Sequence, residues 1–432
     1  MATVESLRPG GHLERKDKVV TGSSPTLVED VARLFAADPA LLEDPYPLYR
    51  RMRHEAPVLQ LDRMVVVSRH EDVLAVLKDP ATFSSRRNTG SIIEARAAQL
   101  DAAGVEKLRA IVRTQGMAMT ENDDPEHARL RGLVNHAFTP RRVGAMRDDI
   151  QALTDSLLAR ADDAGTLEVV ADLAFPLPLR VIVQMFGAPL EDCDDIRRWS
   201  EVIAVAFGTE YSNVDEAYKA LVEFSDYIVN LVEGRRREGP KPDLMSILLG
   251  DEGGQAQSDE EIVGFFVRTL FAGHETTTNA IGNSLVALLQ HPEQLELIRE
   301  SPRRYRTALD ELLRFRTSVH AIHRVAAEDT ELRGVPIAKG QSVRLMLASA
   351  NHDEEAFANP DELDLDRSDE ARPLSLGFGV HTCMGAWLQR QEVEVAISSL
   401  LSRYPRIRLE NDVRRRPNFL HAGYEEIQLS LR

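Results

Sequence analysis

A lone cysteine follows a glycine-rich run near the C-terminal end of the chain. Residues 376–385 read Leu-Gly-Phe-Gly-Val-His-Thr-Cys-Met-Gly, and the cysteine is Cys383. The run is not a dinucleotide-binding loop, because Thr382 stands where the third glycine of that motif would be. It is not a zinc site, because no second cysteine lies nearby. A nucleophilic thiol beside His381 and a metal-binding thiolate both remain possible.

The metal-thiolate interpretation accounts better for the glycines of this run. Gly377, Gly379 and Gly385 have no β-carbon, so a flat ligand could approach the backbone closely. A helix that begins just after the cysteine, at about Ala386, would point its first N–H groups at the sulfur and stabilise its anion. We therefore favour a metal thiolate at Cys383.

Two further groups of residues could do chemistry. Residues 272–277 read Ala-Gly-His-Glu-Thr-Thr and lie within an apolar helical segment. A glycine, a carboxylate and hydroxyls are unfavourable there unless they are used, so Glu275 and Thr276 are candidate functional residues. Glu311 and Arg314 lie three residues apart, on one face of a helix. Such pairs are common on solvated surfaces, so this one is informative only beside the other two motifs.

Mostly helical elements must position these residues. Ser258 and Glu261 form a capping box, and His291-Pro292 ends the segment, which predicts a helix over about 259–290 that is roughly 48 Å long. Helical spacing recurs at 147–163 and 215–236. Strand character is confined to short runs such as 64–68 and 342–348. We predict a mainly α fold with a minor β subdomain.

Composition narrows the class of protein. The 432 residues are 43% apolar and 28% charged, which is typical of a globular chain with a large core. A net charge of −17 argues against nucleic-acid and anionic-membrane binding. Only two cysteines occur, and no apolar run approaches membrane-spanning length. We expect a soluble cytoplasmic protein without a membrane anchor, with a mobile tail over 1–26 and one domain over 27–432.

The three motifs, in this order and at these separations, resemble the cytochrome P450 superfamily, in its soluble bacterial branch, over about residues 40–432. The resemblance implies a cytochrome P450 fold with a single heme domain. It also implies heme b (iron protoporphyrin IX) as the cofactor, with Cys383 as the proximal thiolate ligand of the iron. The glycines at 377, 379 and 385 belong to the same signature.

The resemblance assigns further roles position by position. Glu275 and Thr276 would manage the protons and water needed to activate dioxygen, and Ala272 and Gly273 would leave room for it. Glu311 and Arg314 would be a structural pair behind the cysteine loop. The residues implied to bind the heme carboxylates are His127, Arg131, Arg324 and His381. The chain departs from the family pattern at Leu376, Pro373 and His352.

The substrate can be addressed through helix geometry. Helical spacing places five residues on one face, namely Arg268, Phe271, Ala272, Glu275 and Thr276. We hypothesise that Arg268 anchors a carboxylate or other polar acceptor of the substrate; alternatively it pairs with a protein carboxylate or reaches solvent. The resemblance implies that other pocket walls are Met117, Met119, Val319, Ile322, Phe419 and Leu420. Together these predict a small-molecule substrate, with a carboxylate if Arg268 is its anchor.

The chain carries no flavin or iron–sulfur signature, so its electrons must come from outside. The resemblance implies a ferredoxin and a ferredoxin reductase that uses NAD(P)H, with Arg129, Arg141 and Arg142 as candidate docking residues. The favoured function is a heme-thiolate monooxygenase that hydroxylates, epoxidises or demethylates its substrate. One alternative is a peroxide-using or non-oxygenase heme-thiolate enzyme. Another is a heme-based ligand-binding or sensing protein.

Overall fold

The computed structural model describes residues 26–86, 93–94, 96–116, 119–207, 213–251, 256–301 and 304–432. The predicted tail, apart from Thr26, and the predicted pocket residue Met117 lie outside the described residues. The helices are α1 (Leu27–Phe35), α2 (Pro39–Glu43), α3 (Tyr46–Glu55), α4 (His70–Lys78), α5 (Ala102–Gly116), α6 (Glu126–Val134), α7 (Pro140–Ala145), α8 (Arg147–Leu158), α9 (Pro176–Met185), α10 (Cys193–Phe207), α11 (Val214–Glu238), α12 (Leu244–Leu248), α13 (Asp259–Gln290), α14 (Pro292–Glu300), α15 (Tyr305–Phe315), α16 (Leu347–Ala350) and α17 (Ala386–Arg403).

The strands are short and form small sheets. They are β1 (Val58–Gln60), β2 (Met64–Val67), β3 (Phe83–Ser84), β4 (Thr166–Glu168), β5 (Ile322–Ala326), β6 (Thr330–Leu332), β7 (Val335–Ile337), β8 (Ser342–Leu345), β9 (Arg408–Leu409), β10 (Arg414–Arg415), β11 (Tyr424–Glu426) and β12 (Gln428–Ser430). The largest sheet has the order β1-β2-β8-β5-β3, and the others pair β4-β12-β9, β6-β7 and β10-β11. In it, the two strands predicted from sequence pair in parallel, with Met64 opposite Ser342.

The helix predictions are confirmed with shifted ends. The segment predicted over 147–163 is α8, which stops at Leu158 and continues as a short 3-10 turn. The segment predicted over 215–236 is α11. The strand predicted over 342–348 ends earlier, at Leu345, and its last residues begin α16 instead.

Helix α13 crosses the centre of the molecule. Both hydrogen bonds of the predicted capping box are present: the Ser258 hydroxyl accepts from the Glu261 N–H, and the Glu261 carboxylate accepts from the Ser258 N–H. The helix ends at Gln290, because Pro292 cannot continue it. Most of its residues are buried, and its buried apolar side chains belong to the largest apolar cluster, which also includes parts of α9, α11 and α17. In the described part of the chain, no helix is long and apolar enough to cross a membrane.

Candidate active site

A cavity of about 320 Å³ lies between α13 and the loop that carries Cys383. One wall is a continuous stripe of α13: Phe265, Arg268, Thr269, Ala272, Gly273, Thr276 and Thr277. A second wall is the cysteine loop, and a third is one face of α17. The motifs around 272–277 and 376–385, which lie about a hundred residues apart in sequence, therefore face the same space.

The cysteine loop is tied together by its own backbone. The Cys383 N–H donates to the Leu376 carbonyl at 2.8 Å, and the Thr382 hydroxyl donates to the Gly379 carbonyl at 2.8 Å. Gly379 has a φ of +73°, and a β-carbon there would lie 2.8 Å from the carbonyl oxygen of Leu77. Gly379 is therefore required by the close packing of the loop on α4. Gly377 and Gly385 line the cavity, whereas Gly379 does not, so the role of Gly379 towards a ligand stays a prediction.

Cys383 lines the cavity, and α17 begins directly after it. Gly385 is the residue that caps the N-terminus of α17, so the predicted helix start at Ala386 is confirmed. Burial raises the pKa of the Cys383 thiol, and the Gly385 N–H and the charges of Arg131 and Arg390 partly oppose that rise. Cys383 is exposed and lines the cavity, so a ligand in the cavity can reach it.

Cationic and imidazole side chains gather at one edge of the cavity. Arg131 donates to the carbonyls of Val380 and Thr382 at 3.0 and 2.9 Å, which attaches α6 to the cysteine loop. The rings of His127 and His381 lie 4.1 Å apart. Burial, together with the positive charges of His127 and Arg324, lowers the pKa of His381 to about 4. The local field thus favours an anion.

Among the described residues, Arg324 has no carboxylate partner and His381 has a ring nitrogen without a hydrogen bond. Arg324 lies in β5 behind the lining residues and is only 7% exposed. Among the described residues no carboxylate lies within 4 Å of it, and its guanidinium donates to the His323 carbonyl at 2.7 Å. His381 Nε2 is buried and has no hydrogen-bond partner among the described residues. A buried cation and a buried ring nitrogen of this kind require a polar ligand.

The polar centre of α13 divides between two sides of the helix. Thr276 faces the cavity, and its hydroxyl donates to the Ala272 carbonyl at 2.8 Å. Glu275 points away from the cavity lining, and its carboxylate lies 3.1 Å from His421 Nδ1 and 3.9 Å from Arg416 Nη1. Burial acts to raise the pKa of Glu275, but these two neighbours hold it below its usual value. Glu275 is therefore a carboxylate at neutral pH.

The predicted cavity face of α13 needs a correction. Of the five residues expected to share it, Arg268, Ala272 and Thr276 line the cavity, whereas Phe271 and Glu275 do not. Phe271 lies instead beside the His421 ring, at a centroid distance of 5.8 Å. The face of α13 that lines the cavity includes Thr269 and Gly273 in place of Phe271 and Glu275. Compared with the prediction, the inward face is therefore turned about the helix axis by less than one residue step.

Arg268 lines the cavity beside a protein carboxylate. Its Nη2 lies 3.4 Å from Glu121 Oε1, and its guanidinium sits 5.5 Å from the centre of the Phe271 ring. The structure thus contains the ion pair that the sequence left as the alternative to a substrate anchor. Neutralised by Glu121, Arg268 offers little net charge to a ligand.

The other predicted pocket residues fall on both sides of the cavity wall. Met119, Val319 and Ile322 line it. Phe419 does not, because it packs against Phe35 with ring centroids 4.8 Å apart, and Leu420 belongs to the same N-terminal apolar cluster. The prediction that these last two contact the substrate is not supported by the lining.

Glu311 and Arg314 form a fully buried pair beneath the segment that leads to the cysteine loop. Two parallel hydrogen bonds of 2.6 and 2.8 Å join their side chains. Arg314 also donates to the carbonyls of Asn351, Pro360 and Glu362, and Arg367 donates to Glu311 at 3.0 Å. The pair fixes residues 351–367 against α15, which matches the structural role implied for it.

The positions that depart from the family pattern have local explanations. Leu376 lines the cavity, and its carbonyl accepts the hydrogen bond from Cys383. His352 is buried between Asp361 and the Phe315 carbonyl, at 2.9 and 3.1 Å, so it holds the scaffold. Pro373 is outside the lining.

Of the candidate docking residues, Arg129 is engaged by Glu126 and Glu261, while Arg141 is exposed.

Comparison with known proteins identifies the family. Residues 58–421 match the family model described as Cytochrome P450. The chain is 38% identical over 382 residues to nocardicin C N-oxygenase of Nocardia uniformis subsp. tsuyamanensis, covering 86% of this chain and 91% of that protein. It is 37% identical over 374 residues to vitamin D(3) 25-hydroxylase of Pseudonocardia autotrophica, covering 85% and 88%.

A solved structure agrees with these relatives. The crystal structure of P450BioI in complex with hexadec-9Z-enoic acid ligated acyl carrier protein matches with a TM-score of 0.82 at 33% identity, covering 91% of this chain and all of that chain. The chain therefore belongs to the cytochrome P450 family. It is an oxidoreductase of the monooxygenase class, and the predicted mainly α cytochrome P450 fold is confirmed.

The residues present fit the heme that the family implies. A thiol lines the cavity at a helix N-terminus, beside a loop with glycines at the cavity surface. His127, Arg131 and His381 line the cavity edge, and Arg324 lies behind them with no carboxylate within 4 Å among the described residues. Together they provide donors for anionic carboxylates. This donor set suits a flat metal cofactor that carries two acidic side chains.

Sequence reasoning missed three polar residues of the site. His421 and Arg416, the partners of Glu275, lie more than 140 positions from it in the chain, and nothing local signals the contact. Glu392 lines the cavity from α17. A signal for it did exist, because Gly385, Leu388 and Glu392 recur at helical spacing and place an acid on an apolar face.

Proposed function

We propose that this chain activates dioxygen at a heme bound through Cys383 and oxidises a small, largely apolar organic molecule by hydroxylation, epoxidation or demethylation. The observation that carries the proposal is that Cys383 and Thr276 face one cavity, which joins a metal-binding thiol to a hydroxyl on a polar break in an apolar helix. When bound, a thiolate-ligated heme supplies the activation of dioxygen.

The chain's own groups would hold the cofactor in a fixed orientation. Cys383 would bind the iron as a thiolate, and the Gly385 N–H would stabilise the negative sulfur. Arg324 and Arg131 would pair with the heme carboxylates, with His127 and His381 as further donors. These contacts would also compensate the buried charge of Arg324, which supports the assignment.

Glu275 and Thr276 would supply protons from opposite sides of the same helix turn. The Thr276 hydroxyl is positioned to hold a water or proton at the cavity wall. Glu275 is held outside the lining by His421 and Arg416, which are both partly exposed. A rotation of the Glu275 side chain would carry a proton from this outer pair towards Thr276. This arrangement favours a dioxygen-dependent enzyme over the peroxide-using alternative and over a heme-based sensor.

The substrate is proposed from the apolar walls. Phe186, Phe265, Ile182, Met185 and Leu244 surround the part of the cavity beyond Thr276. These favour burial of a hydrocarbon skeleton. Such a ligand would be comparable to the hexadec-9Z-enoic acid that the acyl carrier protein carries in its complex with P450BioI. Arg268 and Glu121 add one polar pair that could orient a carboxylate, hydroxyl or amide of the substrate.

Electrons are proposed to come from a ferredoxin and its NAD(P)H-dependent reductase. Arg141 lies at the start of α7, which contacts α17 behind the cysteine loop, so a cationic contact at this side is available to an acidic partner. Arg142 neighbours it. Reduction by ferredoxin should then slow steeply as ionic strength rises.

The test is the absorption spectrum of the reduced protein under carbon monoxide, followed by turnover with a surrogate ferredoxin and reductase. A strongly red-shifted Soret band in the wild type that is lost in Cys383→Ser would support the thiolate ligand. A Glu275→Gln variant should keep that band and lose product formation about a hundredfold. Full turnover with peroxide alone would favour the second enzyme class, and tight ligand binding without any turnover would favour a sensor.

A further inference from the structure

Glu392 is a buried acid that the proposed chemistry does not use. It lies on α17 and is only 2% exposed, yet its side chain lines the cavity. Its carboxyl forms no hydrogen bond or ion pair with any other described residue, and Oε1 is fully buried. A carboxyl group in such a position is unfavourable as an anion, so its protonation state responds strongly to nearby charge.

The same helix face connects Glu392 with the cysteine loop. Gly385, Leu388, Gln389 and Glu392 line the cavity at positions i, i+3, i+4 and i+7. Seven residues of α-helix span about 10 Å, so the carboxyl lies two turns from the residue whose N–H faces the Cys383 sulfur. Gln389 Oε1 is also buried without a partner in the described chain. This face therefore presents uncompensated polar atoms to the cofactor space.

No charged group in the described residues pairs with Glu392, although His127, Arg131 and His381 line the same cavity. On its own helix, Arg390 pairs with Asp310 of α15, and Glu394 pairs with Arg147 of α8. On α7, the Val143 carbonyl accepts from Gln391. The α13 residues that share the cavity with it are uncharged apart from Arg268. Burial is the sole cause that raises the pKa of Glu392, to about 8.

We propose that Glu392 is a redox-linked proton acceptor of the bound heme. When the iron gains one electron on passing from the ferric to the ferrous state, those molecules in which Glu392 is still a carboxylate take up a proton from solvent at Glu392 and form the neutral acid. The average uptake is therefore a fraction of a proton, and it is largest where the acid and the carboxylate are both populated. The electron comes from a one-electron reductant such as dithionite or reduced ferredoxin, and no bond between heavy atoms forms or breaks. Glu392 thus balances the charge added by reduction and takes no part in oxygen transfer.

Electrostatics sets the expected size of the coupling. An added negative charge on the order of 10 Å away, at an effective dielectric constant of about 20, raises the proton affinity of a carboxylate by roughly tenfold. Proton uptake must then accompany reduction over a range of pH around the pKa of the acid. By linkage, the reduction potential falls as pH rises through that range.

The experiment is a spectroelectrochemical titration of the holoenzyme between about pH 6.5 and 9. Wild type is compared with Glu392→Gln, which keeps the shape and removes the titration. The matched control is Glu394→Gln, on the same helix but in the ion pair with Arg147. We expect the potential of the wild type and of Glu394→Gln to fall with pH and that of Glu392→Gln to lose most of this slope. A full slope in Glu392→Gln, or a flat wild type, would overturn the proposal.

Two further measurements keep the test decisive. If Glu392→Gln loads no heme, Glu392→Asp retains a carboxyl and must displace the slope along the pH axis. At about pH 8.5, where part of Glu392 is a carboxylate before reduction, infrared difference spectra of the wild type must gain a carboxylic-acid carbonyl band on reduction, and its absence would also overturn the assignment. The inference rests on the proposed function. A wild type without the red-shifted carbon monoxide band contradicts that function, whereas a normal band with an unaltered slope in Glu392→Gln contradicts only the role of Glu392.

Discussion

Arg314 and Arg324 are both buried arginines near the cysteine loop, but their surroundings differ. Arg314 has a bidentate carboxylate partner in Glu311 and also donates to three backbone carbonyls. Arg324 has no carboxylate within 4 Å in the described chain and reaches only the carbonyl of its neighbour His323. A buried guanidinium without a counter-ion is unfavourable. Arg314 is therefore part of the folded scaffold, whereas Arg324 requires an anionic ligand.

The largest loss of stability should follow from breaking the ion pair between Glu311 and Arg314. Arg314→Met leaves the Glu311 carboxylate buried with Arg367 as its remaining cation. We expect the free energy of unfolding to fall by about 3–5 kcal/mol, because the buried Glu311 carboxylate loses its bidentate partner and three backbone carbonyls lose their donor. Urea unfolding of the holoenzyme measures it. The double variant Glu311→Gln with Arg314→Met should recover part of the loss, and an equal or larger loss in the double variant would contradict the argument.

Glu392 extends the comparison to a buried acid without a partner in the described chain. Its folded-state pKa of about 8 lies above the ordinary value of 4.5, so the folded protein binds the proton more tightly than the unfolded chain. Stability from this group is therefore present at low pH and is lost as pH rises towards and through 8. We expect the stability gain of Glu392→Gln over wild type to be about 4 kcal/mol larger near pH 9 than near pH 5.

Urea unfolding of the ferric holoenzyme at the two pH values checks this prediction. The Glu394→Gln control should not show the same pH-dependent gain, because Glu394 is paired with Arg147. A Glu392→Gln variant that is equally stable relative to wild type at both pH values would mean that Glu392 titrates normally in the folded state.

Arg324 should show a smaller effect, and in a different quantity. Arg324→Met removes a buried charge that has no carboxylate partner among the described residues, so the polypeptide scaffold should keep its stability. Heme retention should weaken by about 1.5–3 kcal/mol, or roughly ten- to a hundredfold faster release, if Arg324 pairs with a heme carboxylate. Transfer of heme to an excess of apoglobin measures the release rate. Arg324→Lys, which keeps the charge, should release heme more slowly than Arg324→Met. Equal release rates would show that the charge of Arg324 does not hold the heme.

The sequence predicted best where local signals dominate. The bounds of α13 followed from a capping box and a proline, both of which act within a few residues. The helix after Cys383 and the short parallel strand pair likewise followed from local pattern. The family resemblance then placed Cys383, Thr276 and Ala272 on one cavity, and the structure brings these side chains together.

Side-chain direction was the part that the sequence could not supply. Helical spacing grouped Glu275 and Phe271 with Ala272, but packing of the C-terminal loop turned the first two towards His421. Phe419 similarly packs against Phe35, which lies at the opposite end of the chain. These contacts join segments that are distant in sequence, and a periodicity of 3.6 residues fixes only which positions share a face, not which face meets the cavity.

Arg268 gives the smallest predicted effect and the sharpest test of the substrate question. Its pairing with Glu121 makes it resemble Arg314 more than Arg324, since its charge is compensated within the protein. We expect Arg268→Leu to weaken carboxylic-acid and neutral ligands alike, by about 1 kcal/mol or less. Spectral titration with matched pairs of ligands, a fatty acid and its alcohol, measures both affinities. A selective loss for the acid, larger than about tenfold, would restore the hypothesis that Arg268 anchors a substrate carboxylate. In that case Glu121→Gln should strengthen binding of the acid, because it would free the guanidinium.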